Sequence, residues 1–285
     1  MQFRNNDRIE VIAIISESIL GTGRVVRAAV MLLLTFVCLI SVAQESNPAS
    51  TKATTREQLE SNGDALRSQK DFAAAAGAYE AAIRRNPKDA VLWNKLGMAE
   101  LQLGAGSQGL DRMRHFNAAR SSFERAVKLK KDYAEAMNNI GVVFYQQGDY
   151  RKAIGRYKRA LAIRDAASFH SNLGSVYFAQ KKLPEAMREY LTAFRLDPDV
   201  FERSSATGLT GRVSRPEDRA RYAFLLARLY ARVGDVDHAI GQIKTALVNG
   251  YKELDPLYND QEFAGVRSDP RFAQLMENKP PAIEN

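Results

Sequence analysis

The chain has 285 residues, with 41 Lys and Arg against 33 Asp and Glu and a single cysteine, Cys38. Hydrophobic content of 45% beside 26% charge is that of a soluble folded protein, and a lone cysteine excludes a disulfide framework and a thiolate metal site. The surplus of +8 favours acidic partners mildly and does not by itself argue for nucleic-acid binding.

Residues 28–43, AAVMLLLTFVCLISVA, carry no charge and follow Arg24 and Arg27. Ser41 and Ala43 then put small residues at the −3 and −1 positions before Gln44, the pattern of a secretory signal cleaved after Ala43. The run is shorter than the about twenty residues a membrane-spanning helix needs. Export to a periplasm or the exterior is therefore expected. The alternative is an uncleaved inner-membrane anchor with the rest of the chain outside the cytoplasm. Thr35-Phe36-Val37 lacks the small residues that precede a lipidated cysteine, so Cys38 is not read as a lipid site. Translation beginning near Val25 or Val26 explains the stretch ahead of the signal. Residues 44–55, QESNPASTKATT, are small and polar and read as a linker.

From Arg56 onward one pattern recurs, Ala-x-x-x-aromatic-x-x-Ala. The copies are Ala75/Tyr79/Ala82, Ala119/Phe123/Ala126, Ala153/Tyr157/Ala160, Ala186/Tyr190/Ala193 and Ala239/Ile243/Ala246. Gly63, Gly141 and Gly174 stand twelve residues before the first Ala of their copies, and Ala227 does so in the last. Gly97 stands 22 residues before Ala119, as if ten residues were inserted at 104–113. These spacings put the residues on helix faces, and a period near 34 residues describes stacked helix pairs. The expected units are 56–89, 90–133 with the insertion, 134–166, 167–200 and 220–253. The interhelix turns fall at Lys70-Asp71, Gly148-Asp149, Lys181-Lys182 and Gly234-Asp235. Residues 201–216 (201–219 with the approach to the fifth unit) break the period and read as a loop. Residues 254–285 read as a cap and tail, with Phe263, Phe272, Leu275 and Met276 covering the last apolar face.

In register, these positions resemble the tetratricopeptide repeat motif, W-x2-L-G-x2-Y followed by A-x3-F-x2-A and a late Pro. Trp93, Leu96, Gly97, Ala119, Phe123 and Ala126 supply it in the second unit. Ile140, Gly141, Phe144, Ala153, Tyr157 and Ala160 supply it in the third. Leu173, Gly174, Tyr177, Ala186, Tyr190, Ala193 and Pro198 supply it in the fourth. The first unit has Leu59 where Trp stands but keeps Gly63, Ala75, Tyr79, Ala82 and Pro87. The fifth diverges most, with Tyr251 in place of Pro. The resemblance implies an all-α, right-handed solenoid of about five helix pairs with a C-terminal helical cap, whose first helices line a concave groove. It also implies a non-catalytic scaffold that binds a peptide segment or a partner helix in that groove. An alternative reading is a membrane-anchored assembly subunit of an envelope complex that binds through its convex face.

The groove positions implied by the resemblance include Asn94, Met98, Asn138, Asn139, Val142, Tyr145, Asn172, Ser175 and Phe178. Asparagine offers a donor and an acceptor to the backbone of any extended peptide, while Tyr145 and Phe178 offer apolar pockets. The same asparagines also suit a role in helix packing. The family's clamp for a terminal carboxylate is not expected, because Glu60 and Asp64 occupy the first repeat where cations are needed. Gly104-Ala105-Gly106-Ser107-Gln108-Gly109 matches G-x-G-x-x-G without the strand that a dinucleotide site requires, and reads as a flexible interhelix loop. His115, His170 and His238 are too far apart in sequence for metal-ligand spacing, and His170, at the Trp-like position, is expected to pack. Arg151, Lys152, Arg156, Lys158 and Arg159 read as a solvated outer face. No cofactor, metal or small-molecule substrate is expected, and nucleic acid is not an expected partner.

Overall fold

The computed structural model describes residues 55–202 and 216–282, and every regular element among them is helical. Ten longer helices form five pairs. They are α1 (Arg56–Ser68) with α2 (Phe72–Arg85), α3 (Ala90–Gly106) with α4 (Gly109–Leu129), and α5 (Ala134–Gln146) with α6 (Tyr150–Ile163). Then come α7 (Ala167–Ala179) with α8 (Leu183–Leu196), and α9 (Pro216–Val233) with α10 (Val236–Val248). Short helices α11 (Asp255–Asn259), a 3-10 turn (Gln261–Phe263), α12 (Ala264–Arg267) and α13 (Pro270–Glu277) complete the chain's described part. The all-α solenoid of helix pairs with a helical cap is the architecture observed.

The turns within pairs share one device. Lys70, Gly148, Lys181 and Gly234 take left-handed backbone with φ between 60° and 81°. The next residue's N–H then donates to a carbonyl five residues back, as Asp71 does to Leu66 and Asp149 to Phe144. In three of these turns that next residue is an aspartate, Asp71, Asp149 or Asp235. Its carboxylate accepts from the N–H three residues on and so caps the second helix. The fourth turn has Lys182 there and no side-chain cap, but Pro184 lies in the first turn of α8, where no N–H is needed.

Pairs are closed by a ring seated on a glycine. A Cβ built on Gly63, Gly97, Gly141 or Gly174 would lie 2.5–2.6 Å from the ring of Tyr79, Phe123, Tyr157 or Tyr190 respectively. All four rings are at most 1% exposed. Each buried ring contributes on the order of 1.5–3 kcal/mol by leaving water. In the fifth pair the ring is replaced by Ile243, and Ala227 stands where the glycine was, both buried in the same core.

The ten extra residues of the second unit are not a loop. They lengthen α3 to 17 residues and α4 to 21, against 13 and 14 in the third pair. Only Ser107 and Gln108 separate the two helices. A second lock explains the straight continuation. Seven residues beyond Gly97 and seven before Phe123, the ring of Phe116 comes within 2.5 Å of a Cβ built on Gly104. The G-x-G-x-x-G stretch is thus a helix-packing glycine followed by a tight turn. At a rise of about 1.5 Å per residue, the seven added residues of α4 carry the hairpin roughly 10 Å past its neighbours.

The tail folds back on the fifth pair. Leu257, Phe263, Val266 and Phe272 are buried in one cluster with Ile243 and Leu247, and Leu275 and Met276 pack against it. Arg228 of α9 pairs with Asp260 and Glu262, and Arg271 of α13 reaches Asp237 of α10 at 2.6 Å. The leader or anchor at 1–43, the linker at 44–54 and positions 203–215 of the expected loop lie outside the described residues. Phe201, read as the start of that loop, is instead helical and buried, its ring edge-on to Tyr190 at 5.4 Å.

Two glycine substitutions separate packing from propensity. Gly174→Ala forces a methyl into the Tyr190 ring and is expected to lower stability by about 1–3 kcal/mol. Gly155→Ala, with open space around it in an exposed helix interior, is expected to raise it by about 0.5–1 kcal/mol. Urea unfolding followed by circular dichroism measures both signs.

Candidate functional site on the first-helix face

The conformations that seat the rings also turn a second stripe of each first helix toward the neighbouring first helix. On that stripe the amide side chains bond to one another across repeats. Asn139 Nδ2 donates to Asn94 Oδ1 at 3.0 Å, joining α5 to α3. Asn172 Nδ2 donates to Asn138 Oδ1 at 3.0 Å, joining α7 to α5. A longer contact of 3.4 Å, from Asn138 Nδ2 to Asn139 Oδ1, links the two halves. Four asparagines thereby form a ladder over three repeats. Asn94 and Asn138 are 6% and 7% exposed, whereas Asn139 and Asn172 are half-buried. The buried pair holds the helices, and the other two keep polar capacity toward solvent.

A cleft of about 280 Å³ lies over the ladder and is lined by Asn94, Met98, Asn138, Asn139, Asn172 and Ser175, with Arg164 and Glu135 at its edge. Ser175 Oγ donates to the Ser171 carbonyl and accepts from the Tyr190 hydroxyl at 3.2 Å, so its position is tied to the ring lock of its own repeat. Further along α5 and α7, one helical stripe on, Tyr145 and Phe178 open into a larger cleft of about 710 Å³. Its far wall is α9, with Arg221, Phe224, Arg228 and Arg232, and Tyr251 stacks on Phe224 with ring centres 4.2 Å apart. Of the nine groove residues expected from the sequence, six line the smaller cleft and two the larger. Val142 lines neither; it is 5% exposed in the core around Phe123 and Tyr157. The wall formed by α9 and Tyr251 was not expected, and its sequence signal was only the arginine repeat Arg221, Arg228, Arg232 at helical spacing.

At the other end, Glu60 and Asp64 do not present free charge. Lys95 Nζ lies 2.7 Å from Glu60 and 2.6 Å from Asp64, and the Tyr79 hydroxyl donates to Asp64 at 2.7 Å. Burial raises the Asp64 pKa, but Lys95 and Tyr79 outweigh it and hold the carboxyl below its usual range. Burial and the adjacent Asp64 push Tyr79 up to about 12. This end of the groove is an internally neutralised network that ties repeat one to repeat two.

The histidines each contact carboxylates. His115 Nδ1 lies 2.7 Å from Glu100. His170, expected to pack, instead bridges Glu189 at 2.6 Å and Asp165 at 2.8 Å. His238 bridges Asp235 at 2.7 Å and Glu202 at 2.8 Å, beneath the stacked ring of Tyr230. Burial opposes charge on His238, the two carboxylates favour it more, and its pKa lies above the ordinary histidine value of 6.5. Among the described residues no three His, Cys, Asp or Glu side chains are grouped as metal ligands, and no helix is long and apolar enough to cross a membrane.

Two expectations follow. In a double-mutant cycle of Asn138→Ala and Asn172→Ala, urea unfolding should give a coupling of about 0.5–1.5 kcal/mol, the worth of one amide bond; strict additivity would remove the ladder as a bond between repeats. For His238, the raised folded pKa means its contribution is complete below the unfolded value and fades as pH rises through the folded one. An NMR titration should therefore place this histidine above the unfolded value, and His238→Gln should flatten the loss of stability on raising pH through neutrality.

Family models match the helix-pair repeat. Two tetratricopeptide repeat models match, one at residues 88–166 and the other at 61–108 and 144–200. No curated protein matches the chain in a sequence search. Among solved structures, a thermophilic TPR protein of Thermus thermophilus is similar at 21% identity and TM-score 0.49, covering 65% of this chain and 96% of that one. Two crystal structures of MamA are similar at 20% and 22% identity and TM-scores of 0.43 and 0.42. They cover 72% and 68% of this chain and 95% and 96% of theirs. Tetratricopeptide repeats generally mediate protein–protein interaction and are typically non-catalytic. With matched repeats running from 61 to 200, the chain belongs to the tetratricopeptide repeat family.

Proposed function

We propose that the protein is a non-catalytic scaffold that captures an extended peptide segment of a partner protein along its first-helix face. The observation that carries this reading is the succession of two clefts along α7. On α7, Asn172 and Ser175 border the amide-lined cleft, and Phe178 borders the aromatic one a turn further on. Asn139 and Asn172, half-buried and already oriented by the ladder, suit the peptide's backbone groups whatever its side chains. Tyr145, Phe178 and Phe224 suit an apolar anchor, and the larger cleft has the size range of a binding pocket. Lys181 on its wall favours an acidic residue beside that anchor. Stacked repeats hold all of this before binding, which limits the ordering cost. The same reading has the chain exported by the segment at 28–43.

Selection from a random linear peptide display library against the full chain tests it, followed by fluorescence anisotropy with the enriched peptide. Asn172→Ala and Phe178→Ala, with melting temperatures checked, should each weaken binding by about tenfold, or 1.4 kcal/mol. Charge reversal at Lys158 on the opposite side should leave affinity unchanged. Affinity indifferent to both groove substitutions overturns the reading.

A further inference from the structure

Residues 112–164 hold thirteen Lys and Arg against four Asp and Glu. Their net +9 exceeds the +8 of the whole chain, so everything outside this stretch is close to neutral. The fold gathers much of this charge on one side. In α4 the buried residues are Phe116, Ala119, Ser122, Phe123 and Ala126, and the stripe opposite them is Leu110, Arg114, Asn117, Ser121, Arg125 and Lys128. In α6 the buried residues are Ala153, Tyr157 and Ala160, and the opposite stripe is Arg151, Gly155, Lys158, Arg159 and Ala162. All of these outward residues are exposed, and neither stripe contains a carboxylate. Phe144 joins the two helices, its ring lying 5.9 Å from Arg120 and 5.4 Å from Lys152. Among the described residues, Arg125, Lys128, Arg151, Lys158 and Arg159 enter no ion pair, whereas Arg114 has only the surface contact to Asp111. At the projecting end of the same α4 stripe stands Leu110, 74% exposed, with Met113 at 52% and Arg112 and Arg114 beside them.

We propose that this outer face docks the protein on an anionic lipid bilayer. The α4 and α6 cations rest on the headgroup phosphates, and the end of the α3–α4 hairpin enters the interface through Leu110 and Met113. Three features favour a bilayer over other polyanions. Exposed apolar side chains in line with unpaired cations match a surface that is anionic outside and hydrocarbon beneath. The stripes carry no aromatic on which a nucleic-acid base would stack. Asn117, Ser121, Gly155 and Ala162 put only short side chains or none between the cations, little for a partner's side chains to interlock with. The outer stripes point away from the buried faces of α4 and α6, so docking leaves the first-helix clefts open to a peptide.

The test uses the full chain with Cys38→Ser and Gln108→Cys, labelled at the exposed hairpin turn with an environment-sensitive dye. Because the dye reports the hairpin end, vesicle association through another part of the chain does not register. Vesicles of phosphatidylcholine with phosphatidylglycerol should shift the emission to the blue, and pure phosphatidylcholine should not. Adding salt should reverse the shift. The exposed triple reversal Arg151→Glu, Lys158→Glu, Arg159→Glu should weaken the response about tenfold or more at unchanged melting temperature, and Leu110→Ser should reduce the blue shift. An equal shift on both vesicle types, no shift on either, or indifference to the charge reversal overturns the proposal. So does a DNA duplex that displaces the protein from the anionic vesicles.

Discussion

The contact on which the rest of the structure depends is an aromatic ring of the second helix, in four of the five pairs, resting where the first helix has no side chain. Removing one Cβ lets the two backbones close to a distance that a ring then fills, since a Cβ there would lie only 2.5–2.6 Å from the ring. The pair Gly104–Phe116 repeats the Gly97–Phe123 contact two turns further along both helices. The fifth pair obeys the same volume rule in reverse, since a smaller Ile243 is matched by the larger Ala227. Interiors packed to crystal density allow little else.

Once the ring and its neighbours are committed to closure, each helix has only its remaining stripes for anything else. On the first helices the free stripe carries amides, which bond across repeats and keep part of their capacity outward. On α4 and α6 the free stripe carries cations with no carboxylate among them. The two sides therefore differ in chemistry as well as in shape. The amide side is neutral, grooved and suited to a backbone. The outer side is basic and tipped with exposed leucine and methionine, suited to a surface that offers charge density without pattern.

Much of this was legible in the order of residues. Glycine-to-aromatic spacing marked the pairs, and Lys70-Asp71, Gly148-Asp149 and Gly234-Asp235 marked the turns, because left-handed backbone followed by a capping carboxylate is a local arrangement. The extra residues of the second unit were read as a loop because glycines at 104, 106 and 109 signal flexibility when their neighbours are unknown. Only the approach of Phe116 shows that Gly104 is there for close packing. His170 was expected to pack by its register position, yet Glu189 and Asp165 come to it from other turns of the fold. Glu60 and Asp64 looked like free negative charge until Lys95, one repeat later, was seen to lie between them.

By itself the sequence determined the repeat and the helix faces, since these follow from spacings within a few turns. Tertiary structure alone decided which polar groups are already satisfied by one another. The amide ladder joins positions 45 and 34 residues apart, and the wall of the larger cleft comes from a helix that follows its opposite wall by some forty residues. Partnership at such separations depends on the angle between successive repeats, and that angle is the sum of many small packing contacts that no local spacing encodes.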